Sequence, residues 1–261
     1  MTDIAPPPKF RNLWQRTATA AVLIGIALAA LFAGKSALWL LTAALAMIMI
    51  GEWSKLMGVG RWQSAVAIAL MAALLVFIHP TFWPIDVMTI AVLGGIALVA
   101  SLAAMSFRLG MGILYIGIAT IAILFLREEN GIALTLWTLA VVWGTDICAY
   151  FAGKLIGGPK LAPSYSPNKT WAGLVGGVGG AMLIGSIIAL YAGLPRWLIL
   201  LAGLFAIIAQ LGDLYESWLK RRAGVKDASG IFPGHGGALD RLDGLMPVAI
   251  VMAVISAAGL L

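Results

Sequence analysis

The sequence predicts an all-α integral membrane protein. It reads as a polytopic bundle of about nine transmembrane helices, N-terminus in the cytoplasm and C-terminus on the far side. Three observations predict this. Of 261 residues, 62% are hydrophobic and 11% charged, against about 45–50% and about 25% in soluble domains. The apolar residues fall in runs near the length that crosses a bilayer, about 20 residues with a range of about 17–25. The basic residues sort to alternate sides of those runs.

In order, the runs are 17–34, 37–57, 63–79, 87–106, 110–126, 131–153, 172–192, 196–219 and 245–261. The first follows Lys9, Arg11 and Arg16 as the core of a signal peptide would. Its 18 residues exceed the roughly 7–15 of such a core, so it reads as the first membrane helix. Turn residues at 58–60, 79–84, 110, 157–159 and 195 separate the runs. The alternation of a membrane barrel is missing. The chain reads as one domain over 1–261: helices within 17–126 as scaffold, and 131–261 as the part that carries chemistry, with cytoplasmic loops 154–171 and 220–244.

With the N-terminus cytoplasmic, 14 of the 17 Lys and Arg lie on that side, and Lys35, Arg127 and Arg196 lie on the other. A missed helix would scramble everything downstream of it, so the asymmetry supports both count and orientation. The net charge of +6 then points to orientation and anionic head groups rather than to nucleic acid. Ten tryptophans, mostly near run ends, read as an aromatic belt. His79, before Pro80, reads as a turn or interface residue. The single cysteine, Cys148, reads as a small buried hydrophobe. The segment GLVGGVGG at 173–180 lacks the Lys-Ser/Thr ending of a phosphate loop. Its Gly173/Gly177 and Gly176/Gly180 spacing suits close helix packing, within the chain or between chains.

Asp146, Asp213 and Glu216 are carboxylates in or at the ends of apolar runs. Each would cost about 2.5–3.5 kcal/mol at a helix centre on insertion scales, which marks them as functional or paired. Asp213, Glu216, Ser217 and Lys220 share one helix face, as do Asp146, Tyr150 and Lys154. Both stripes lead into long loops on the same side, which predicts one shared polar cavity. The loop 220–244 holds eight of the chain's 28 charged residues. If the ninth helix starts at Asp240, then Asp240 and Asp243 project the same way from its first turn. Favourable charge at a helix N-terminus accounts for such a pair. Beside HGG and a basic cluster, Mg²⁺ is the favoured reading, since it takes one or two carboxylates and leaves room for phosphate and water. One Cys and two His argue against Zn²⁺. Lys220, Arg221, Arg222, Lys226 and Arg241, with Lys160 and Lys169, could neutralise phosphates, Arg222 serving only as an interfacial stop. Gly234, Gly236 and Gly237 would let backbone N–H groups approach anions, and His235 among them could donate to phosphate.

These residues carry a resemblance. Ser217-x-x-Lys220-Arg221-x₄-Lys226-Asp227, then Pro233-x-His235-Gly236-Gly237-x-x-Asp240-Arg241-x-Asp243, closely resembles the motif of bacterial phosphatidate cytidylyltransferases, also called CDP-diacylglycerol synthases. Trp143-Gly-Thr-Asp146-x-x-Ala-Tyr150 with Gly153-Lys154, and Ser166-Pro167-x-Lys169-Thr170-Trp171, are similar to the same family. Length and helix layout extend the likeness over most of the chain. Two positions depart from it. Ala172 stands where a carboxylate or amide is common, and Ala238 is smaller than the usual aliphatic residue.

The resemblance implies transfer of a cytidylyl group from CTP to phosphatidate, giving CDP-diacylglycerol and pyrophosphate in phospholipid biosynthesis. It implies Mg²⁺, with room for a second monovalent or divalent cation, a homodimer, and a multi-pass protein of the inner membrane with its site facing the cytoplasm. It implies Asp213, Asp240 and Asp243 as metal ligands, and Lys220, Lys226, His235 and Arg241 beside them in catalysis. Asp146, Lys154, Ser166, Lys169, Ser217, Arg221, Asp227, Gly236 and Gly237 would bind substrate. Partners would be CTP, phosphatidate and membrane lipid, without nucleic acid. A polyprenol or phytol kinase is a related alternative that would release a nucleoside diphosphate instead. The DGxxAR pattern of CDP-alcohol phosphotransferases is missing. A cation-coupled transporter using Asp146, Asp213 and Glu216 would need polar groups toward both sides, and the far-side loops are short.

Overall fold

The computed structural model describes residues 9–79, 85–232 and 236–261, with side chains from residue 17 onward. The turn expected through 80–84 lies outside them. Each apolar run is helical: α1 (Lys9–Ala33), α2 (Lys35–Leu56), α3 (Arg61–Phe77), α4 (Val87–Ala103), α5 (Phe107–Glu129), α6 (Gly131–Leu155), α7 (Trp171–Tyr191), α8 (Leu198–Arg222) and α10 (Leu245–Ala257). Five of them, α2, α5, α6, α7 and α8, are long and apolar enough to cross a membrane unaided. The apolar parts of α1, α3, α4 and α10 are shorter. Leu40, Leu102, Val175, Leu183, Leu200 and Val254 are each more than half exposed on the outer surface. Lipid accommodates such a girdle and water does not. The fold is that of a multi-pass helical membrane protein.

Two features correct the expectation of a purely helical chain with one C-terminal helix. First, the loop 154–171 holds an antiparallel hairpin of β1 (Lys160–Ala162) and β2 (Ser166–Thr170), with Lys160 opposite Thr170 and Ala162 opposite Ser166. Thr170 ends it in extended conformation and caps α7, its Oγ1 accepting from Gly173 N at 3.0 Å. Second, the helix expected to begin at Asp240 is broken. A short α9 (Leu239–Leu242) precedes α10, with Asp243 and Gly244 between them.

The core forms two apolar clusters. One centres on α2, α3, α4 and α5 and takes in Leu31, Leu139, Leu219, Met246 and Ala249 from α1, α6, α8 and α10. The other joins α6, α7, α8 and α10 around Trp137 and Phe205, with Trp137 Nε1 donating to Gly185 O at 3.0 Å. Contacts also sort the helix ends. Trp53 Nε1 donates to Arg108 O at 2.9 Å, and Arg221 Nε to Tyr165 O at 3.3 Å, at one end. Arg127 Nε donates to Leu31 O at 3.3 Å, and Ser256 Oγ to Asn130 Oδ1 at 2.6 Å, at the other. His79 is also at this second end, its ring 4.6 Å from that of Trp39. This grouping matches the one derived from the basic residues.

The glycines of 173–180 pack α7 on α6 within the chain. A Cβ on Gly176 would lie 2.2 Å from Ala152 Cβ, and one on Gly180 would lie 2.3 Å from Cys148 Sγ. Gly176→Val is therefore expected to destabilise the fold by about 1–3 kcal/mol, the usual range for overpacking. A lowered melting temperature in detergent is the check, and an unchanged one would show that α6 and α7 tolerate separation.

Candidate active site

The polar stripe of α8 faces inward and meets the hairpin. Lys169, on β2, places Nζ 2.6 Å from Asp213 Oδ2 and donates to Gln210 Oε1 at 2.8 Å. Ser217 Oγ donates to Asp213 Oδ1 at 3.3 Å, one turn along the helix. One turn further, Lys220 lies 2.5 Å from Glu216 Oε2 and also pairs with Asp240 Oδ1. Glu216, Lys220 and Asp240 are nearly closed to solvent, with side chains 4%, 11% and 4% exposed, while Asp213 is 31% exposed. The charges thus lie in two tiers. Asp213 stands on an accessible wall, and the Glu216–Lys220–Asp240 triad lies behind it.

Asp240 and Asp243 meet different partners. Asp240 Oδ1 takes Lys220, and Oδ2 accepts from Gly237 N at 2.7 Å and Ala228 N at 2.9 Å. Its burial works to raise its pKa, but these donors outweigh that and hold the carboxyl below the ordinary carboxylate value. Asp243 is partly accessible, and Gly244 N donates to its Oδ1 at 2.7 Å. Burial, and then the carboxylates of Asp213, Glu216 and Asp146, push its carboxyl well above the ordinary value. Gly212 makes the approach possible, since a Cβ there would meet Asp243 O at 2.3 Å. Asp146 joins the cluster from α6, with Asp213, Lys169 and Arg241 as its charged neighbours.

Asp146 and Arg241 also line a cavity of about 750 Å³ between α1, α2, α5, α6 and α10. The rest of its wall is mostly apolar, including Ile24, Leu45, Ile123, Trp143 and Leu245. Of the stripe read on α6, Asp146 is the residue that meets the α8 stripe, through Asp213; the chamber beside it is mostly apolar and has no α8 stripe residue in its lining.

Other predicted residues are placed differently. Lys154 reaches over the Tyr150 ring, 5.6 Å from its centre. Ser166 pairs across the hairpin with Ala162. Arg221 ties the loops together, donating to Tyr165 O and to Val225 O. Arg222 stacks on Trp218 at 5.4 Å. Lys160, Lys226 and Asp227 are exposed. His235 lies outside the described residues, as does Gly234. The two glycines after His235 make room for carboxylates of the protein itself. Gly236 has φ +81°, and a Cβ on it would fall 2.5 Å from Asp240 Oδ2; one on Gly237 would fall 2.3 Å from Glu52 Oε1. The Gly237 N–H, expected to face phosphate, is taken by Asp240.

Three residues escape the sequence reading. Gln210 extends the α8 stripe and holds Lys169, and its place three residues before Asp213 was the available signal. Tyr115 of α5 packs its ring against Tyr215, 6.1 Å away, with Asp243 and Glu216 as charged neighbours. Nothing in its surroundings in the sequence marks it. Glu52 of α2 is 1% exposed. It lies in the apolar run 37–57, but beside Lys55 it has the look of an interfacial charge. Helices within 17–126 thus reach the site and are not scaffold alone.

The model of the cytidylyltransferase family matches residues 14–258. A phosphatidate cytidylyltransferase of Pseudomonas aeruginosa is 36% identical over 271 aligned residues, 95% of this chain and 98% of that protein. One of Brucella suis is 46% identical over 153 residues, 56% of each chain. One of Bacillus subtilis is 43% identical over 122 residues, 46% of this chain and 45% of that protein. The matched region thus spans about half the length of the Brucella and Bacillus relatives and nearly all of the Pseudomonas one. With the family match covering nearly every helix, the chain belongs to the cytidylyltransferase family.

Proposed function

We propose that the protein is a phosphatidate cytidylyltransferase, joining CTP and phosphatidate into CDP-diacylglycerol with release of pyrophosphate. The observation that carries this reading is the cluster of Asp146, Asp213, Asp243, Lys169 and Arg241, of which Asp146 and Arg241 also line an apolar chamber. An amphiphile with a phosphate head and acyl tails suits such a space. The related kinase alternative is disfavoured by the relatives of Pseudomonas, Brucella and Bacillus, each a phosphatidate cytidylyltransferase.

A phosphomonoester has a second pKa near about 6, so the lipid is largely dianionic at neutral pH and needs no strong base. Its phosphate oxygen attacks the α-phosphorus of CTP, and the bond to the β-phosphate oxygen breaks as pyrophosphate leaves. Lys169 and Arg241 would hold the phosphates in line, Lys169 exchanging Asp213 for substrate. Lys220 is locked behind them by Glu216 and Asp240, which offset its charge, so its part is to hold that wall in place.

Mg²⁺ suits the donor set. Asp213 and Asp243 are accessible oxygen donors in a crowd of like charges, and Glu216 Oε1 is buried without a hydrogen-bond partner among the described residues. No group of three His, Cys, Asp or Glu among the described residues could hold a metal unaided. An ion held there would take its remaining ligands from phosphate and water. Asp213 and Asp243 would hold it; Asp240, spent on protein donors, is withdrawn from that role. Bound there, the ion would offset negative charge on the reacting phosphates.

The nine helices would cross an inner membrane with the basic end in the cytoplasm. α10, at 13 residues, rises about 20 Å. It would begin below the membrane surface, at the depth of a recessed site. The homodimer is retained from the family resemblance and has no support from the glycine stripe, which is used between α6 and α7. Purified protein with phosphatidate, CTP and Mg²⁺ is expected to release pyrophosphate and form a liponucleotide. Release of a nucleoside diphosphate instead, or no product, would overturn the proposal.

A further inference from the structure

We propose that Glu52 is a positioning residue of the site, a buried carboxylate that sets the orientation of α9 and, through it, of Arg241 and Asp243. The inference rests on the activity proposed above. α9 starts at Leu239 with Ala238 before it and has no side-chain cap of its own. The free N–H groups at a helix start need acceptors, and burial without them is costly. Glu52 supplies these from another helix: Ala238 N donates to its Oε1 at 3.0 Å and Leu239 N to its Oε2 at 2.8 Å. Ser229 Oγ donates to Oε1 at 2.5 Å, tying Ser229 to the same carboxylate.

Both carboxylate oxygens are therefore engaged from one segment, across more than 170 residues of sequence. Trp53, the next residue, is anchored to α5 through Arg108 O, so Glu52 projects from a fixed point. Its bonds fix α9 in place and in rotation about its axis. On α9, Asp240 meets Lys220 and Arg241 faces the chamber, and Asp243 follows beside Asp213. A small rotation of α9 would move Arg241 and Asp243 together while touching no substrate contact of Glu52, which has none.

The test compares the full chain with Glu52→Gln, Glu52→Asp and Ser229→Ala in detergent, measuring steady-state kinetics with CTP and phosphatidate together with amide hydrogen exchange. Glu52→Gln is expected to lower kcat by about tenfold or more, since small misplacements of reacting groups have effects of this size. KM for CTP and the elution profile should stay close to wild type. Glu52→Asp, which keeps the charge and both acceptors, should recover at least part of the loss. Ser229→Ala, removing one donor, should give a smaller fall in kcat. Exchange should rise at Ala238 and Leu239 in Glu52→Gln and stay unchanged in α6 and α7.

A Glu52→Gln kcat near wild type, or a loss matched by loss of folded protein or unrelieved in Glu52→Asp, would overturn the proposal. So would unchanged exchange at Ala238 and Leu239. An inactive wild-type protein would instead strike the proposed activity, and the exchange measurement would still decide the role of Glu52.

Discussion

Asp243→Asn is expected to lower cytidylyl transfer by about 10²-fold or more, the scale seen when one preorganised charge is removed from a reaction centre. Folded yield and melting temperature should remain at or above those of the wild type. The asymmetry follows from its surroundings. Asp243 sits among Asp213, Glu216 and Asp146, so a neutral amide relieves repulsion in the empty fold. The amide oxygen can still accept from Gly244 N, as Oδ1 does now. What is lost is negative charge on the accessible wall, where a cation and phosphates would assemble. Pyrophosphate release and thermal melting of the same preparation form the check. Activity near wild type would remove Asp243 from the site, and a steep fall in melting temperature would make it a structural residue.

Asp240→Asn is expected to have the opposite signature, lost stability with activity falling in consequence. Asp240 is a buried partner of Lys220 and accepts from two backbone N–H groups. Removing one partner of a buried ion pair costs about 3–5 kcal/mol. The lower end is expected here because Glu216 stays on Lys220. The carboxyl is held below its ordinary value of 3.8. Its stabilisation is thus complete above that value and is lost as pH falls through the lower folded one. In Asp240→Asn this acid-side dependence should disappear along with several degrees of melting temperature. Melting curves at neutral and acidic pH would show it. An Asp240→Asn protein as stable as wild type but inactive would restore Asp240 as a metal ligand.

The nine runs were readable because lipid as solvent enforces long apolar segments, which survive errors at any one residue. The end-sorting was readable because Lys and Arg are few and sit at run ends. The hairpin was not. Its strands hold three and five residues, too short for periodicity, and Lys169 depends on that hairpin to reach Asp213. The residues of the site were largely legible as chemistry, but their division of labour was not. Spacing of three places Asp240 and Asp243 on one helix face only if the helix continues. The helical hydrogen bonding is interrupted at Asp243, although Asp243 and Gly244 keep helical dihedrals, and the two carboxylates meet different partners. Glu52 was hidden for a related reason: its partners are two backbone N–H groups and a serine hydroxyl of a distant loop, which leave no trace in the residue types around it.

Gly236 and Gly237 have a consequence for how the chain can vary. The space their side chains would fill is held by oxygens of Asp240 and Glu52. Every other amino acid brings a Cβ, so no single-base change in either codon that alters the residue avoids the collision. In a saturation library these two positions should be depleted of all alternatives alike, small or large, polar or apolar. Accessible Lys226, by contrast, should be graded by charge. The pattern of survivors would thus separate sites where volume is forbidden from sites where chemistry is required.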